Sequence, residues 1–162
     1  MIHKIVSELL LEEEDKLFIP AEKVAIIQDD HTLEHALLVL SNVKYSVIPV
    51  VNKHSKLVGL ISIPMIINKI MDINAINFNQ LRKYKVSEVM ATKIPTVGPQ
   101  TDLEDILNDL IDATFLCIVT PENDFLGIIT RKEVLKRINY LVHQLEKDYD
   151  ITAKIPQELL QD

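Results

Sequence analysis

Cysteine is nearly missing from this chain of 162 residues: Cys117 stands alone. One thiol forms no intramolecular disulfide, so packing rather than covalent cross-links must hold the fold. Cys117 lies in the apolar run "FLCIVT", which reads as a place for a small buried hydrophobe rather than a reactive thiol. Tryptophan is absent and aromatics make up 5%, so the core must be built from Ile, Leu and Val. No uninterrupted apolar stretch approaches the ~20 residues of a membrane-spanning helix. The opening "MIHKIVSELLLEEEDK" turns acidic where a secretory signal would carry small residues, so a soluble cytoplasmic protein is expected. Basic residues are outnumbered: 17 Lys and Arg against 24 Asp and Glu give a formal net charge of −7. That balance argues against a general nucleic-acid or anionic-membrane binder and leaves room for a local cluster that holds one anion. A Gly-rich phosphate loop and a G-x-S-x-G elbow are also lacking, and an enzyme is not expected.

Glycine is scarce too, and its placement is informative. Gly59 and Gly127 occupy the rhyming stretches "VGLISIPMI" and "LGIITRKEV", 68 positions apart. Upstream of the first, "DDHTLEHALLVLSNV" sets Leu33, Ala36, Leu37 and Leu40 at helical spacing, followed by the strand-like "YSVIPVVN" and "LVGLIS" and a helical "PMIINKIM". Upstream of the second, Leu103, Ile106, Leu107 and Leu110 repeat the spacing, followed by "TFLCIVT", "FLGIIT" and a helix over "RKEVLKRINYLVHQLEK". Each early helix follows a short extended piece, Lys23 to Gln28 and Ile94 to Val97. The unit is β-α-β-β-α, used twice in an α/β chain. One unit cannot cover both faces of its own sheet, so the two should pack sheet to sheet. Pairing of whole chains would bury further apolar helix faces, such as that of Ile138, Leu141, Val142 and Leu145. The expected divisions are an N-terminal helical segment (1–17), unit 1 (18–72), a linker (73–85), unit 2 with the C-terminal helix (86–147) and a tail (148–162). A short helix is expected at Val86 to Met90.

Two motifs invite chemistry. "HTLEH", His31 to His35, matches a zinc-peptidase pattern. Such a site needs both histidines on one helical face and a third ligand. His31 aligns with Thr101 of the other copy, at or before the helix start, and His3, His54 and His143 add no ligand spacing; no metal is expected. In "TRKE", Thr130 and Glu133 form a capping box, the hydroxyl accepting from the N3 amide and the carboxylate reaching back. Arg131 and Lys132 are different: bases are disfavoured in the first turn of a helix, where the dipole and free amides attract an anion. The dipeptide alone also reads as a solvated basic face.

The hydrophobic-Pro-Val-Val strand of "YSVIPVVN" and the Gly-apolar-apolar-Ser/Thr turn, each in the same order of elements, resemble the cystathionine-β-synthase (CBS) domain, and the duplication resembles a CBS pair, or Bateman module. The resemblance spans about Phe18 to Tyr140 and implies a regulatory module that binds adenine nucleotides between two units, as a homodimer. The family pattern Gly-apolar-x-Thr/Ser-x-x-Asp uses its Asp to hold a ribose diol. This chain has Met65 there in the first copy, after Pro64, and Glu133 in the second. A ligand with few free ribose hydroxyls and more than one phosphate charge fits such a site, and cyclic di-AMP has that chemistry; AMP or ATP, with Glu133 as the diol ligand, is the alternative, and a ligand-free interaction module is the third reading. The family geometry places the strand-to-helix turn of one unit against the first two strands of the other. It nominates Lys23, Val24, Ala25 and Ile27, then Tyr45, Ser46, Val47 and Pro49, facing Thr130, Arg131 and Lys132. Arg131 would fork onto phosphate and Lys132 act as a point charge. Ala25 would read an adenine edge through its backbone, Tyr45 would stack, and Val47 and Pro49 would floor the site. Ala25, Ile27 and Val47 also read as ordinary strand core. The run "IPAEKVAIIQDDHTLEHALLVLSNVKYSVIPVV", with "VSEVM" and "GIITRKEVLK", is similar to the stand-alone cyclic di-AMP-binding CBS proteins of the CbpB/DarB type. That likeness implies a homodimer with two bound cyclic di-AMP molecules and an output through protein contact. The partners it implies are the bifunctional (p)ppGpp synthetase/hydrolase and, in some members, pyruvate carboxylase.

Overall fold

The computed structural model describes residues 17–43, 45–73 and 75–148. The expected helical segment before Leu17 and the tail after Asp148 lie outside the described residues. The chain opens with strand β1 (Phe18–Pro20) and a single 3-10 turn at Ala21–Lys23. Unit 1 then runs β2 (Ile27–Gln28), α1 (Leu33–Asn42), β3 (Val47–Val51), β4 (Leu57–Ser62) and α2 (Ile63–Ile70). Two 3-10 segments, Phe78–Arg82 and Val86–Glu88, bridge to β5 (Thr96–Val97), α3 (Leu103–Asp112), β6 (Phe115–Val119), β7 (Phe125–Thr130) and α4 (Arg131–Asp148). The β-α-β-β-α order thus appears twice.

The extended pieces are shorter than expected, and proline accounts for both. Pro20, at φ −67° and ψ 153°, starts the turn through which the chain leaves one sheet for the other, so pairing resumes only at Ile27. Pro95 has no N–H to donate, and its carbonyl accepts from the Cys117 N–H at 2.9 Å before the ladder begins at Thr96. The helix expected at Val86 to Met90 is the 3-10 turn Val86–Glu88, where Glu88 accepts from the Lys85 N–H at 2.7 Å.

The sheets have the orders β2-β3-β4 and β1-β7-β6-β5. β1, which falls within the expected bounds of unit 1, pairs antiparallel with β7 of unit 2, Pro20 opposite Gly127. Ala91 makes the corresponding crossing the other way, exchanging backbone hydrogen bonds with Leu60 at 2.9 Å. Each rhyming glycine lies under such a crossing. A Cβ on Gly127, whose φ is +154°, would collide with the Ile19 carbonyl oxygen, and one on Gly59 would lie 2.5 Å from Met90 Sδ. The segments swapped between units therefore explain both glycines.

Three apolar clusters hold the layers. Leu33, Ala36 and Leu40 of α1 pack with Ile48, Ile61, Ile66 and Ile70 on the outer face of the first sheet, roofed by Leu81 and Val86. Leu110, Leu116, Ile118, Ile129 and Val134 do the same in unit 2. Between the sheets, Val24, Val51, Leu57 and Leu60 meet Cys117, Phe125 and Ile128, so the units pack face to face. Cys117 has no exposed surface, and burial pushes its thiol up to about 12.

At one place the repeat becomes a contact. The Leu57 N–H donates to Asn123 O and the Phe125 N–H to Ser55 O, both at 3.1 Å, each residue facing one two positions from its own counterpart. The hairpin tips thus join about a local twofold axis, reached through left-handed turns at Ser55 (φ 59°) and Asn123 (φ 67°). The counterparts Lys56 and Asp124 close the joint with an ion pair of 2.8 Å. Among the described residues, no helix is long and apolar enough to cross a membrane.

Candidate functional site

Away from the joined hairpins, a cavity of about 330 Å³ opens where the start of β3 meets the end of β7. From unit 1 it is lined by Val24, Ala25, Tyr45, Ser46, Val47, Ile48 and Pro49, and from unit 2 by Thr114, Phe115, Ile128, Thr130, Lys132 and Glu133, with Ile19 at the crossing strand. Val47 and Pro49 give the apolar floor, and Tyr45, 44% exposed, stands at the rim. Thr130 is buried at the α4 start, its Oγ1 accepting from the Glu133 N–H at 3.2 Å. Half of the expected capping box therefore forms. The Glu133 carboxylate does not complete it; it pairs with Lys136 Nζ at 2.7 Å.

Of the nominated residues, Val24, Ala25, Tyr45, Ser46, Val47, Pro49, Thr130 and Lys132 come together around the cavity. Lys23, Ile27 and Arg131 do not. Lys23 ends the 3-10 turn with its side chain in solvent. Ile27 is 2% exposed and packs beneath α1, since period-two alternation turns it away from the cleft. The largest departure concerns Arg131. Its Nε donates to Leu110 O at 2.9 Å, and its Nη2 donates to Ile111 O at 3.0 Å and Ala113 O at 2.9 Å. These carbonyls end α3, where no intrahelical partner exists and the dipole is negative. β6 follows at once and pairs Phe115 with Thr130, which sets Arg131 beside that helix end. The guanidinium caps a helix, leaving Lys132 as the cation among the described residues that line the cavity.

Six cavity residues were not nominated as site residues: Ile19, Ile48, Thr114, Phe115, Ile128 and Glu133, the last weighed only as the diol ligand of the alternative. Thr114 and Phe115 lie 68 positions beyond the nominated Ser46 and Val47, so the repeat offset itself could have found them. Ile19 carried no such signal, because it arrives on the strand that crosses between units.

In the first copy, Ser62 caps α2 by accepting from the Met65 N–H at 3.4 Å, with Pro64 in the first turn, a structural helix start. His31 precedes the Thr32 cap of α1, where the aligned copies placed it, and its ring centroid lies 4.6 Å from that of His35. Among the described residues there is no group of three or more His, Cys, Asp or Glu that could hold a metal.

A family description for the CBS domain matches residues 14–72 and 86–140, both copies of the repeat. The chain belongs to the CBS domain family. Cyclic di-AMP receptor B of Bacillus subtilis is 39% identical over 142 residues, covering 87% of this chain and 97% of that protein. Among solved CBS structures, CbpB from Streptococcus agalactiae superposes with a TM-score of 0.83 at 37% identity, covering 94% of this chain and 96% of that one. CbpB from Listeria monocytogenes in complex with c-di-AMP gives a TM-score of 0.76 at 44% identity, covering 82% and 98%. The tandem CBS fold of these proteins is the fold described above.

Proposed function

We propose that this CBS pair is a non-catalytic receptor that takes cyclic di-AMP into the cavity between its two units. The observation that carries the reading is the cavity's division of labour. Val47 and Pro49 offer an apolar floor for a base, Tyr45 a ring at the rim, and Lys132 a cation at the start of α4. The relatives named for this ligand support the choice. With Met65 and a Lys136-bound Glu133 at the positions where a diol-holding Asp would stand, the chain favours a ligand without free vicinal ribose hydroxyls. In this reading the protein is cytoplasmic and homodimeric. It passes the signal on by changing its affinity for a protein partner such as a (p)ppGpp synthetase/hydrolase or pyruvate carboxylase, through different arrangements of the two units. Isothermal titration of the full chain with cyclic di-AMP, AMP and ATP tests it. Saturable binding of cyclic di-AMP is expected, weakened about tenfold or more by Tyr45→Ala, as for loss of a base-stacking ring. Absence of binding at high micromolar cyclic di-AMP refutes the reading, and tighter binding of AMP or ATP replaces it with an energy sensor.

A further inference from the structure

The stretch that leaves α2 is basic in an acidic chain. Residues 69–85 carry Lys69, Arg82, Lys83 and Lys85 against the single carboxylate of Asp72, a net +3 where the whole chain has −7. Arg82 is paired with Glu34, its Nε donating at 2.8 and 3.0 Å. Lys69, Lys83 and Lys85 are exposed and make no ion pair among the described residues. Lys69 Nζ lies 4.4 Å from the centroid of the Tyr84 ring, which brings the α2 cation to the two lysines flanking that tyrosine. The same stretch exposes Met71, Ile73, Ile76 and Phe78, with Ile73 98% and Phe78 59% in solvent. The backbone beneath them is tied down. The Asp72 N–H donates to Ala75 O at 2.8 Å, the Asn77 N–H to Ile70 O at 3.0 Å, and Met71 bridges Ile76. A formed turn therefore holds these apolar side chains outward, and an exposed apolar cluster rimmed by charge marks a contact surface. We propose that this knob and its lysine rim dock the protein partner, and that the partner presents an apolar pocket edged by carboxylates. The inference rests on the partner regulation read above. Charge favours a protein over an anionic membrane: a flat bilayer meets the field of the whole chain, at −7, whereas a pocket meets the +3 stretch alone. α2 ties the surface to the cleft. It starts after Ser62, which pairs with Val47 of the cavity floor, and ends before Met71, about 12 Å away along its eight residues. A shift of β3 and β4 around a ligand is thereby passed along one helix to the knob.

The probes are the two proteins named above, the (p)ppGpp synthetase/hydrolase and pyruvate carboxylase, titrated by biolayer interferometry against the full chain with and without cyclic di-AMP. Whichever binds the wild-type protein should bind Ile73→Asp about tenfold or more weakly, as for loss of a central apolar anchor. The double variant Lys83→Glu with Lys85→Glu should also bind more weakly, by a factor that shrinks as salt rises. Ile73 is so exposed that its replacement removes little packing, so Tm and the calorimetric affinity for cyclic di-AMP should stay at their wild-type values. Wild-type partner affinity in both variants overturns the docking surface and leaves the partner reading standing. Failure of both proteins to bind the wild-type chain removes the two together, while cyclic di-AMP binding still decides the cleft on its own. Two further measurements can overturn the proposal by naming another occupant. Co-sedimentation of wild type but not Ile73→Asp with phosphatidylglycerol vesicles assigns the knob to a membrane, and conversion of a dimer to a monomer by Ile73→Asp in analytical ultracentrifugation assigns it to a second copy.

Discussion

Replacing Arg131 with alanine separates two accounts of a basic residue at a helix start. The guanidinium donates three hydrogen bonds, of 2.9, 3.0 and 2.9 Å, to the carbonyls that end α3. Hydrogen bonds to a charged group contribute ~1.5–3 kcal/mol each when fully protected. The end of α3 is partly open, Ile111 being 71% exposed, and water can take over some of these carbonyls once the arginine is gone. A total loss of ~2 kcal/mol is therefore expected, which for a chain of this length corresponds to a fall in Tm of about 4–8 °C. Arg131→Lys keeps a charge near the helix dipole but not the planar fork, and should recover only ~0.3–1 kcal/mol. Differential scanning calorimetry and urea denaturation of the three proteins measure this directly. Affinity for cyclic di-AMP should fall less than about fivefold in Arg131→Ala, the effect of a solvent-screened charge worth ~1 kcal/mol or less. An unchanged Tm together with a tenfold or greater loss of affinity would refute the capping account and return Arg131 to the phosphate.

Two further outcomes follow from the joints between the units. Lys56, by hydrogen bond and charge, together with the Thr120 hydroxyl, lowers the Asp124 carboxyl below its ordinary 3.8 against a smaller opposing effect of desolvation. A depressed folded value means that the contribution is complete above about 3.8 and is lost as pH falls through the folded value. Asp124→Asn should accordingly flatten part of the stability loss as pH falls below about 4 in urea titrations, and an unaltered acid limb would count against the ion pair. Gly127→Ala should destabilise the protein by ~1–3 kcal/mol, because the new methyl meets the Ile19 carbonyl at a strained φ and displaces β1. Gly59→Ala should cost less, since the nearest obstacle is the flexible Met90 side chain; equal losses in chemical denaturation would contradict this.

The repeat was legible because both copies write the same periodicities, with Leu33, Ala36 and Leu40 buried on α1 where the spacing put them. The strand-to-helix turns were legible for the same reason: Ser62 and Thr130 both cap. What escaped was long-range. Nothing local in "FIP" says that Phe18–Pro20 joins the sheet of unit 2, since a three-residue strand takes its partner from tertiary packing. The capping contacts of Arg131 escaped on similar grounds. Its anomaly in the first turn of α4 is visible in the sequence, but the negative helix end that resolves it lies some 20 residues earlier in the chain and becomes a neighbour only after folding. Lys132, next to it, has no such competitor printed into the fold and lines the cavity.

The hairpin joint also fixes which halves can assemble. Duplication of one unit would at first have set identical residues against each other about the local axis. Here the facing counterparts have become a cation and an anion, Lys56 and Asp124 at 2.8 Å. Two first units brought together in the same way would oppose lysine to lysine, and two second units aspartate to aspartate, arrangements disfavoured by like-charge repulsion. The chain thus carries in one pair of side chains an instruction that unit 1 associates with unit 2, so that exchange of like halves between neighbouring molecules is discouraged and the cleft forms with one wall from each.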